Sequence, residues 1–185
     1  MSQTVDNRKD LLLLVLGALD AAPVVGVTRL QKYLYLLQTD YHWAEHFHLS
    51  RPYNFRPYDY GPFDSQVYAD LEFLRNVGFV DAKPLGEEPR AENDELKLLA
   101  TEWATSDPEF APWEEEEPVA AYSLTKEGQD FVRQFTLEQK RAQELEDLKA
   151  RWNDRSLTAL LRWLYQSHPD SATNTKLKHL TEPST

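Results

Sequence analysis

Two short segments decide the fold: FVDAK at residues 79–83 and YSLTKEG at residues 122–128. The first follows Gly78, and glycine is the residue that most easily takes the left-handed conformation closing a helix. The second contains Thr125, which is suited to cap a new helix. We therefore predict a helix over residues 64–77, followed by strands over residues 79–83 and 119–124 that pair antiparallel.

Helical patterns precede the first strand. An apolar run over residues 11–19 predicts a buried first helix, Thr28 is placed to cap a second, and Asp64 to cap the third. The apolar positions of the second helix are Leu30, Tyr33, Leu34, Leu37 and Tyr41, and those of the third are Val67, Leu71 and Leu74. Three helices followed by a two-stranded wing form a winged helix. The predicted fold is mainly α with a small β wing (α+β), a winged-helix-like domain with an acidic wing insert and a C-terminal helical extension.

The domain organisation follows from these elements. Residues 1–135 form the winged-helix-like domain, with the insert at residues 86–118. The helix capped by Thr125 is expected to continue through Trp152. Residues 136–170 supply C-terminal helices, of which the segment 138–149 mixes charges of both signs and is expected to project and to pair with a second copy in a homodimer. Residues 171–185 form a polar, flexible tail.

The insert concentrates the charge of the chain. Residues 86–118 contain twelve acidic residues against Arg90 and Lys97, a local charge of −10 in a protein of net charge −11. Acidic side chains repel phosphate, which disfavours duplex DNA as a ligand. The run Glu114 to Glu117 is either a solvated loop, a docking strip for a basic protein partner, or a phosphate mimic that blocks the domain's own DNA-binding face.

Composition sets further limits. A chain of 185 residues with 41% hydrophobic and 12% aromatic residues can bury a sizeable core. The absence of cysteine excludes disulfides and thiol catalysis and fits a cytoplasmic location. Arg8 and Lys9 before the apolar run are reminiscent of a signal peptide, but Asp6, Asp10 and Asp20 oppose it. The run is too short to cross a bilayer, so no membrane association is expected.

Two motifs carry a resemblance to a known family. RLQKYLYLL at residues 29–37 resembles the opening helix of the Panacea group of antitoxins and of uncharacterised YwgA-like bacterial proteins. YDYGPF at residues 58–63, followed by Val67 and Tyr68, resembles their Tyr-Gly-Pro element before a helix. The likeness covers about residues 28–80; the acidic insert and the last two helices depart from the Panacea pattern. It implies a helical domain that recognises a protein partner or acts in regulation, without catalytic residues to carry over.

One motif points to metal chemistry. His42, Glu45 and His46 form the pattern H-x-x-E-H, in which two histidines one helical turn apart bind zinc and the glutamate acts as a base. His48 adds a third candidate ligand. The alternative is a set of half-buried histidines among aromatic neighbours, and we expect no bound metal or cofactor.

Two surfaces are candidates for binding a partner. Cations and rings alternate at Arg51, Arg56, Tyr58 and Tyr60, a combination that stacks on bases or grips a protein, unless the loop is packed by its own aromatics. On the third helix Gln66, Arg75 and Asn76 are expected to face outward with Asp64, Asp70 and Glu72. Three acids against one arginine make a poor phosphate-binding surface. The predicted partner-binding residues are Arg51, Arg56, Tyr58, Tyr60, Gln66, Arg75, Asn76, Glu114, Glu115, Glu116 and Glu117.

The sequence thus favours a non-enzymatic regulatory protein that binds a protein partner with a basic surface. A DNA-binding transcriptional regulator is the alternative, and a zinc-dependent hydrolase built on the H-x-x-E-H pattern is a more distant one.

Overall fold

The computed structural model describes residues 3–85 and 119–181 of the 185-residue chain. Within these ranges the chain forms seven α-helices, five strands and two short 3₁₀ helices at Pro169–Ala172 and Lys178–Leu180. The α-helices are α1 Arg8–Ala21, α2 Val27–Thr39, α3 Trp43–His46, α4 Gln66–Asn76, α5 Lys126–Val132, α6 Gln139–Trp152 and α7 Leu157–Ser167. The strands are β1 Val24–Val25, β2 Arg56–Tyr58, β3 Gly61–Phe63, β4 Val80–Pro84 and β5 Ala120–Leu124.

The main sheet has three antiparallel strands in the order β1-β5-β4. In β4 and β5, Val80 lies opposite Leu124 and Pro84 lies opposite Ala120. The predicted antiparallel pairing of the two segments is therefore confirmed, and the fold is mixed α+β. Strand β1 was not predicted, because two residues are too few to show the alternation that marks a strand.

The junctions on either side of this sheet are fixed by small residues. Gly78 has φ of +78°, the left-handed conformation expected after α4. The Thr125 side chain accepts a hydrogen bond from the Gly128 amide at 3.1 Å and donates one to the Gly78 carbonyl at 2.6 Å. A Cβ on Gly128 would lie 2.1 Å from the Phe79 carbonyl oxygen, so only glycine fits there. The end of α4 and the start of α5 are thus joined across the sheet.

Helix α1 is the centre of the core. Its residues from Leu11 to Leu16 are buried, and α2, α4, α5, α6 and β5 all contact it. The prediction of a buried first helix is confirmed. In the described parts of the chain, no helix has the length and apolar character needed to cross a membrane.

The prediction of a continuous helix from Thr125 to Trp152 is wrong. Helix α5 ends at Val132, and Phe135 forms a parallel bridge with Gln3 before α6 begins. The Gln3 amide donates to the Gln134 carbonyl at 2.8 Å, and the Thr136 amide donates to the Gln3 carbonyl at 3.1 Å. This pairing with the N-terminal segment satisfies backbone groups that a continuous helix would have used.

Helix α6 does not project, contrary to the prediction. Leu145, Leu148 and Trp152 belong to the same buried core as α1. Lys149 is also buried, and its Nζ donates to the carbonyls of Leu16 and Ala18 at 3.0 and 2.8 Å. The apolar side chains of α6 are therefore packed inside the chain.

The C-terminal segment is also packed rather than frayed over residues 171–181. Leu177 and Leu180 join Leu161 and Tyr165 in a second small cluster. The Thr175 hydroxyl bonds to the Asp59 carbonyl at 3.0 Å, which ties the segment to the turn between β2 and β3. Ser171, Ala172, Thr175, Leu177 and Leu180 are buried, and the residues between them are exposed. Residues 182–185 lie outside the described ranges.

Candidate functional site

The two motifs that carry the family resemblance are in direct contact. From α2, the Gln31 side-chain oxygen accepts a hydrogen bond from the Asp64 amide at 2.9 Å, and Lys32 Nζ donates to the Pro62 carbonyl at 2.9 Å. Lys32 is 2% exposed. Burial disfavours its charged form and lowers its pKa to about 7. Helix α2 therefore holds the segment that leads into α4, and it begins at Val27 after Gly26 rather than being capped by Thr28.

That segment is a hairpin that the sequence did not predict. Strands β2 and β3 pair antiparallel, with Pro57 opposite Pro62 and Tyr58 opposite Gly61. Gly61 has φ of +81°, and a Cβ there would lie 2.9 Å from the Tyr165 ring. Glycine is thus required both by the turn and by the close approach of α7.

Helix α4 starts from this hairpin. One Asp64 oxygen accepts from the Gln66 amide at 2.9 Å, and the other accepts from the Asn54 amide at 2.7 Å. The helix begins at Gln66, with Ser65 in the N-cap position, so the predicted cap at Asp64 is displaced by one residue. Asp64 nevertheless supplies the side-chain bond to the first turn, which is what an N-terminal cap does.

The inner side of α4 is locked to α1 by a buried carboxylate. Asp70 is 4% exposed and accepts from the Arg8 guanidinium through Nε and, at 3.3 Å, through Nη2. It also accepts from the Tyr53 hydroxyl at 3.1 Å, and Lys9 Nζ lies 3.7 Å away. The hydrogen bond to Asp70 raises the pKa of Arg8, while burial and then the Asp70 charge raise that of Tyr53. The expectation that Asp70 faces outward is therefore wrong: the residue shares the buried stripe and needs these cations.

The outer side of α4 carries two exposed apolar side chains. Phe73 is 50% exposed and Val77 is 47% exposed, and among residues 3–85 and 119–181 these are the exposed large hydrophobics. They are four residues apart, which brings them together on one side of the helix. Lys9 Nζ lies 5.3 Å from the centre of the Phe73 ring. We call the exposed surface formed by Gln66, Ala69, Glu72, Phe73, Asn76 and Val77 the α4 face.

Sequence analysis missed Phe73 and Val77, although a signal for them was present. Val67, Leu71 and Leu74 define the buried stripe, and a helical period places Phe73 away from it. An apolar residue outside the stripe is one that the fold does not bury.

The predicted partner-binding residues are distributed over this region. Gln66, Arg75 and Asn76 are exposed on α4, and the Gln66 side-chain oxygen accepts from Arg8 Nη2 at 2.9 Å. Arg51 and Arg56 are exposed on the segment before α4. The four glutamates Glu114, Glu115, Glu116 and Glu117 lie outside the described residues.

Tyr58 and Tyr60 are half-buried and line a small recess. Lys32 forms part of the same lining, and the cavity volume is about 20 Å³, enough for one water molecule. The Tyr58 ring lies 5.1 Å from that of Phe63. These ring contacts fit a loop packed by its own aromatics better than a platform for stacking bases.

The histidine motif does not have the geometry expected of it. His42 precedes α3 in a left-handed conformation (φ 55°), so it does not share a helical face with His46. His42 Nδ1 lies 4.0 Å from Glu45 Oε2, whereas His46 Nε2 lies 3.7 Å from Glu138 Oε1. Throughout the described ranges, no group of three potential ligands is arranged to hold a metal ion.

The α4 face is the surface on which a functional assignment depends. It combines a rigid support with unburied apolar groups, and its exposed residues offer little positive charge. No family model, curated protein or solved structure matches the chain. The chemistry of the chain's own surface therefore carries the assignment.

Proposed function

We propose that the chain is a non-enzymatic regulatory protein whose α4 face docks a protein partner with a basic surface. The observation that carries the proposal is the exposed pair Phe73 and Val77 on a helix otherwise fixed to the core. Fully burying a side chain of this kind contributes roughly 1.5–3 kcal/mol. Covering the exposed half of each would therefore contribute about 2 kcal/mol to binding, minus the cost of ordering the partner.

The scaffold we propose is a winged helix. Apart from the β2–β3 hairpin between α3 and α4, the order α1, β1, α2, α3, α4, β4, β5 and the sheet order β1-β5-β4 support it. In that arrangement α4 corresponds to the helix that enters the DNA major groove in DNA-binding members. Strands β4 and β5 form the wing of this proposed scaffold, and the acidic segment of residues 86–118 is the insert that connects them.

Charge favours a protein over DNA at this helix. Duplex binding depends largely on neutralising phosphates with lysine and arginine, and the exposed part of α4 offers Arg75 beside Glu72. Twelve acidic residues between β4 and β5 add a negative field that attracts a basic surface and speeds its association. Aromatic anchors such as Phe73 suit the desolvated centre of a protein interface.

A cytoplasmic location belongs to the same proposal. The absence of cysteine supports it, since the chain needs no oxidising compartment for stability.

Affinity capture with matched variants tests the proposed function. Phe73→Asp puts a charge at the centre of the α4 face, and Ala150→Asp puts the same charge at an exposed position of α6. We expect the wild type and Ala150→Asp to capture one common protein that Phe73→Asp does not. With that protein purified, Phe73→Asp should weaken binding at least tenfold while leaving the unfolding midpoint of the chain unchanged.

Three results would count against the proposal. Equal affinities for the two variants would remove the α4 face from the interface. Loss of self-association in Phe73→Asp, measured by light scattering, would make a second copy the occupant. Tight binding of the intact chain to duplex DNA at physiological salt would favour the transcriptional regulator instead.

A further inference from the structure

We propose that a second surface, the α6–α7 corner formed by Arg151, Trp152, Arg155 and Trp163, binds an acidic segment of a partner protein through its two guanidinium groups. This inference goes beyond the proposed function of the α4 face, because it concerns the end of α6 and ligand chemistry of opposite charge.

The two guanidinium groups rest on tryptophan rings. The Arg151 guanidinium carbon lies 4.9 Å from the centre of the Trp152 ring and 4.7 Å from that of Trp163. The Arg155 carbon lies 5.6 Å from the Trp152 ring centre. Stacking of this kind holds the planar group in place while its N–H edges stay directed away from the ring. Both arginines are exposed, so these edges are open to a ligand.

Neither arginine is neutralised within the described ranges. Arg8, Arg133 and Arg141 each contact a carboxylate, whereas no ion pair there involves Arg151 or Arg155.

Two nearby carboxylates are engaged by other groups. Asp147, one turn before Arg151, accepts from Gln143 at 2.7 Å. Asp40 lies 3.1 Å from His168 Nε2, and His168 in turn lies against Trp163. Asp154, also exposed, stands between the two arginines in sequence without pairing with either. Both guanidinium groups therefore keep donors for an external carboxylate.

The backbone beneath the corner is rigid. The guanidinium of Arg29, which is 6% exposed, donates to the carbonyls of Trp152 and, at 2.8 Å, Arg155. The Asn153 side chain donates to the Pro23 carbonyl at 3.0 Å. Arg29 therefore both fixes the turn between α6 and α7 and adds a positive charge below it. A rigid pair of guanidinium groups loses little entropy when a ligand binds.

The covered tryptophan ring and the exposed guanidinium groups determine which class of ligand the α6–α7 corner can bind. Trp152 is 3% exposed and its ring is covered by guanidinium groups, so it cannot stack on a nucleic-acid base. A net charge of −11 also opposes the approach of a long polyanion. A short acidic segment needs only two carboxylates, each able to accept a bidentate pair of hydrogen bonds from arginine.

The test measures binding of fluorescein-labelled hexaglutamate to the full chain by anisotropy. Arg151→Gln with Arg155→Gln removes both guanidinium groups. Arg151→Lys with Arg155→Lys keeps the charge but not the planar, bidentate geometry. Lys126→Gln with Arg133→Gln changes the net charge by the same amount at the two ends of α5, where both residues are exposed.

We expect saturable binding that the glutamine pair weakens at least tenfold, the lysine pair weakens several-fold, and the control pair leaves nearly unchanged. Phe73→Asp should bind the peptide as the wild type does, which separates this inference from the α4 face. Equal losses in the glutamine and control pairs would reduce the effect to net charge and overturn the proposal. Absence of saturable binding, or tighter binding of single-stranded oligothymidine that depends on the same arginines, would overturn it as well.

Discussion

Helices α4 and α6 both pack against α1, yet they use their apolar side chains differently. Helix α6 buries Leu145, Leu148 and Trp152. Helix α4 buries the stripe of Val67, Leu71 and Leu74 but leaves Phe73 and Val77 exposed. The difference separates apolar residues that hold the fold from those that folding leaves available for a partner.

A buried charged group fixes each helix in place. Lys149 on α6 binds carbonyls at the end of α1, and Asp70 on α4 binds Arg8 at its start. Both groups are buried, and each has partners that offset the cost of removing it from water. The outer side of α4 is thus presented by a helix that is fixed at its inner side.

The substitution with the largest expected effect on stability lies on α6. Trp152→Ala should lower the free energy of unfolding by about 4 kcal/mol, because it leaves a cavity in the core shared with α1. Urea denaturation followed by circular dichroism measures this change. A loss below about 1 kcal/mol would mean that α6 is not part of the core and would remove the contrast with α4.

The substitution with the second-largest expected effect on stability lies on the inner side of α4. Asp70→Asn should lower the free energy of unfolding by about 3 kcal/mol, since it leaves the Arg8 charge without its carboxylate. Glu72→Gln removes an exposed acid two residues away and should change stability by less than about 0.5 kcal/mol. Equal effects of the two substitutions would show that Asp70 does not anchor the helix.

The buried Lys32 side chain should make the stability of the fold depend on pH. Its pKa is lowered to about 7 in the folded chain from a value of 10.5 in the unfolded chain, so between these values the unfolded chain binds the extra proton. Stability should therefore rise with pH, with a contribution from Lys32 of roughly 2 kcal/mol between pH 7 and pH 9. Lys149, whose pKa burial lowers to about 8, acts in the same direction.

Urea titrations of the wild type and Lys32→Met over this pH range isolate the Lys32 contribution, because Lys149 is common to both proteins. The variant should show the smaller rise. Tyr33 and Tyr165, whose pKa values burial raises to about 12, do not titrate in this range. Parallel curves for the two proteins would contradict a buried Lys32.

The smallest expected effect lies on the α4 face. Phe73→Ala should change the free energy of unfolding by less than about 0.5 kcal/mol, because half of its side chain is already exposed. The same urea titration measures it. A loss comparable to that of Trp152→Ala would place Phe73 among the residues that hold the fold.

Local signals predicted much of this fold correctly. Gly78 and Thr125 marked the junctions of α4, β4, β5 and α5, because the left-handed conformation and the side-chain cap are local properties. The coarse α+β class followed from these junctions.

Features that depend on distant contacts were not predictable. The β2–β3 hairpin pairs Pro57 with Pro62 and is held by Lys32 from α2. The break after α5 arises because Phe135 pairs with Gln3 at the other end of the chain. At the candidate site, Gln66, Arg75 and Asn76 were correctly predicted as exposed. Asp70 was misassigned because its partner Arg8 lies 62 residues away.

Site-specific photo-crosslinking tests the central claim most directly. The photoreactive residue p-benzoylphenylalanine is introduced at position 73 of the full chain in cells, and in a control at position 139, which is exposed at the start of α6, at the opposite end of that helix from Arg151. The account predicts a covalent adduct with one discrete protein from position 73 and none from position 139. Irradiation that gives no protein adduct at position 73, or the same adducts at both positions, would contradict a docking role for the α4 face.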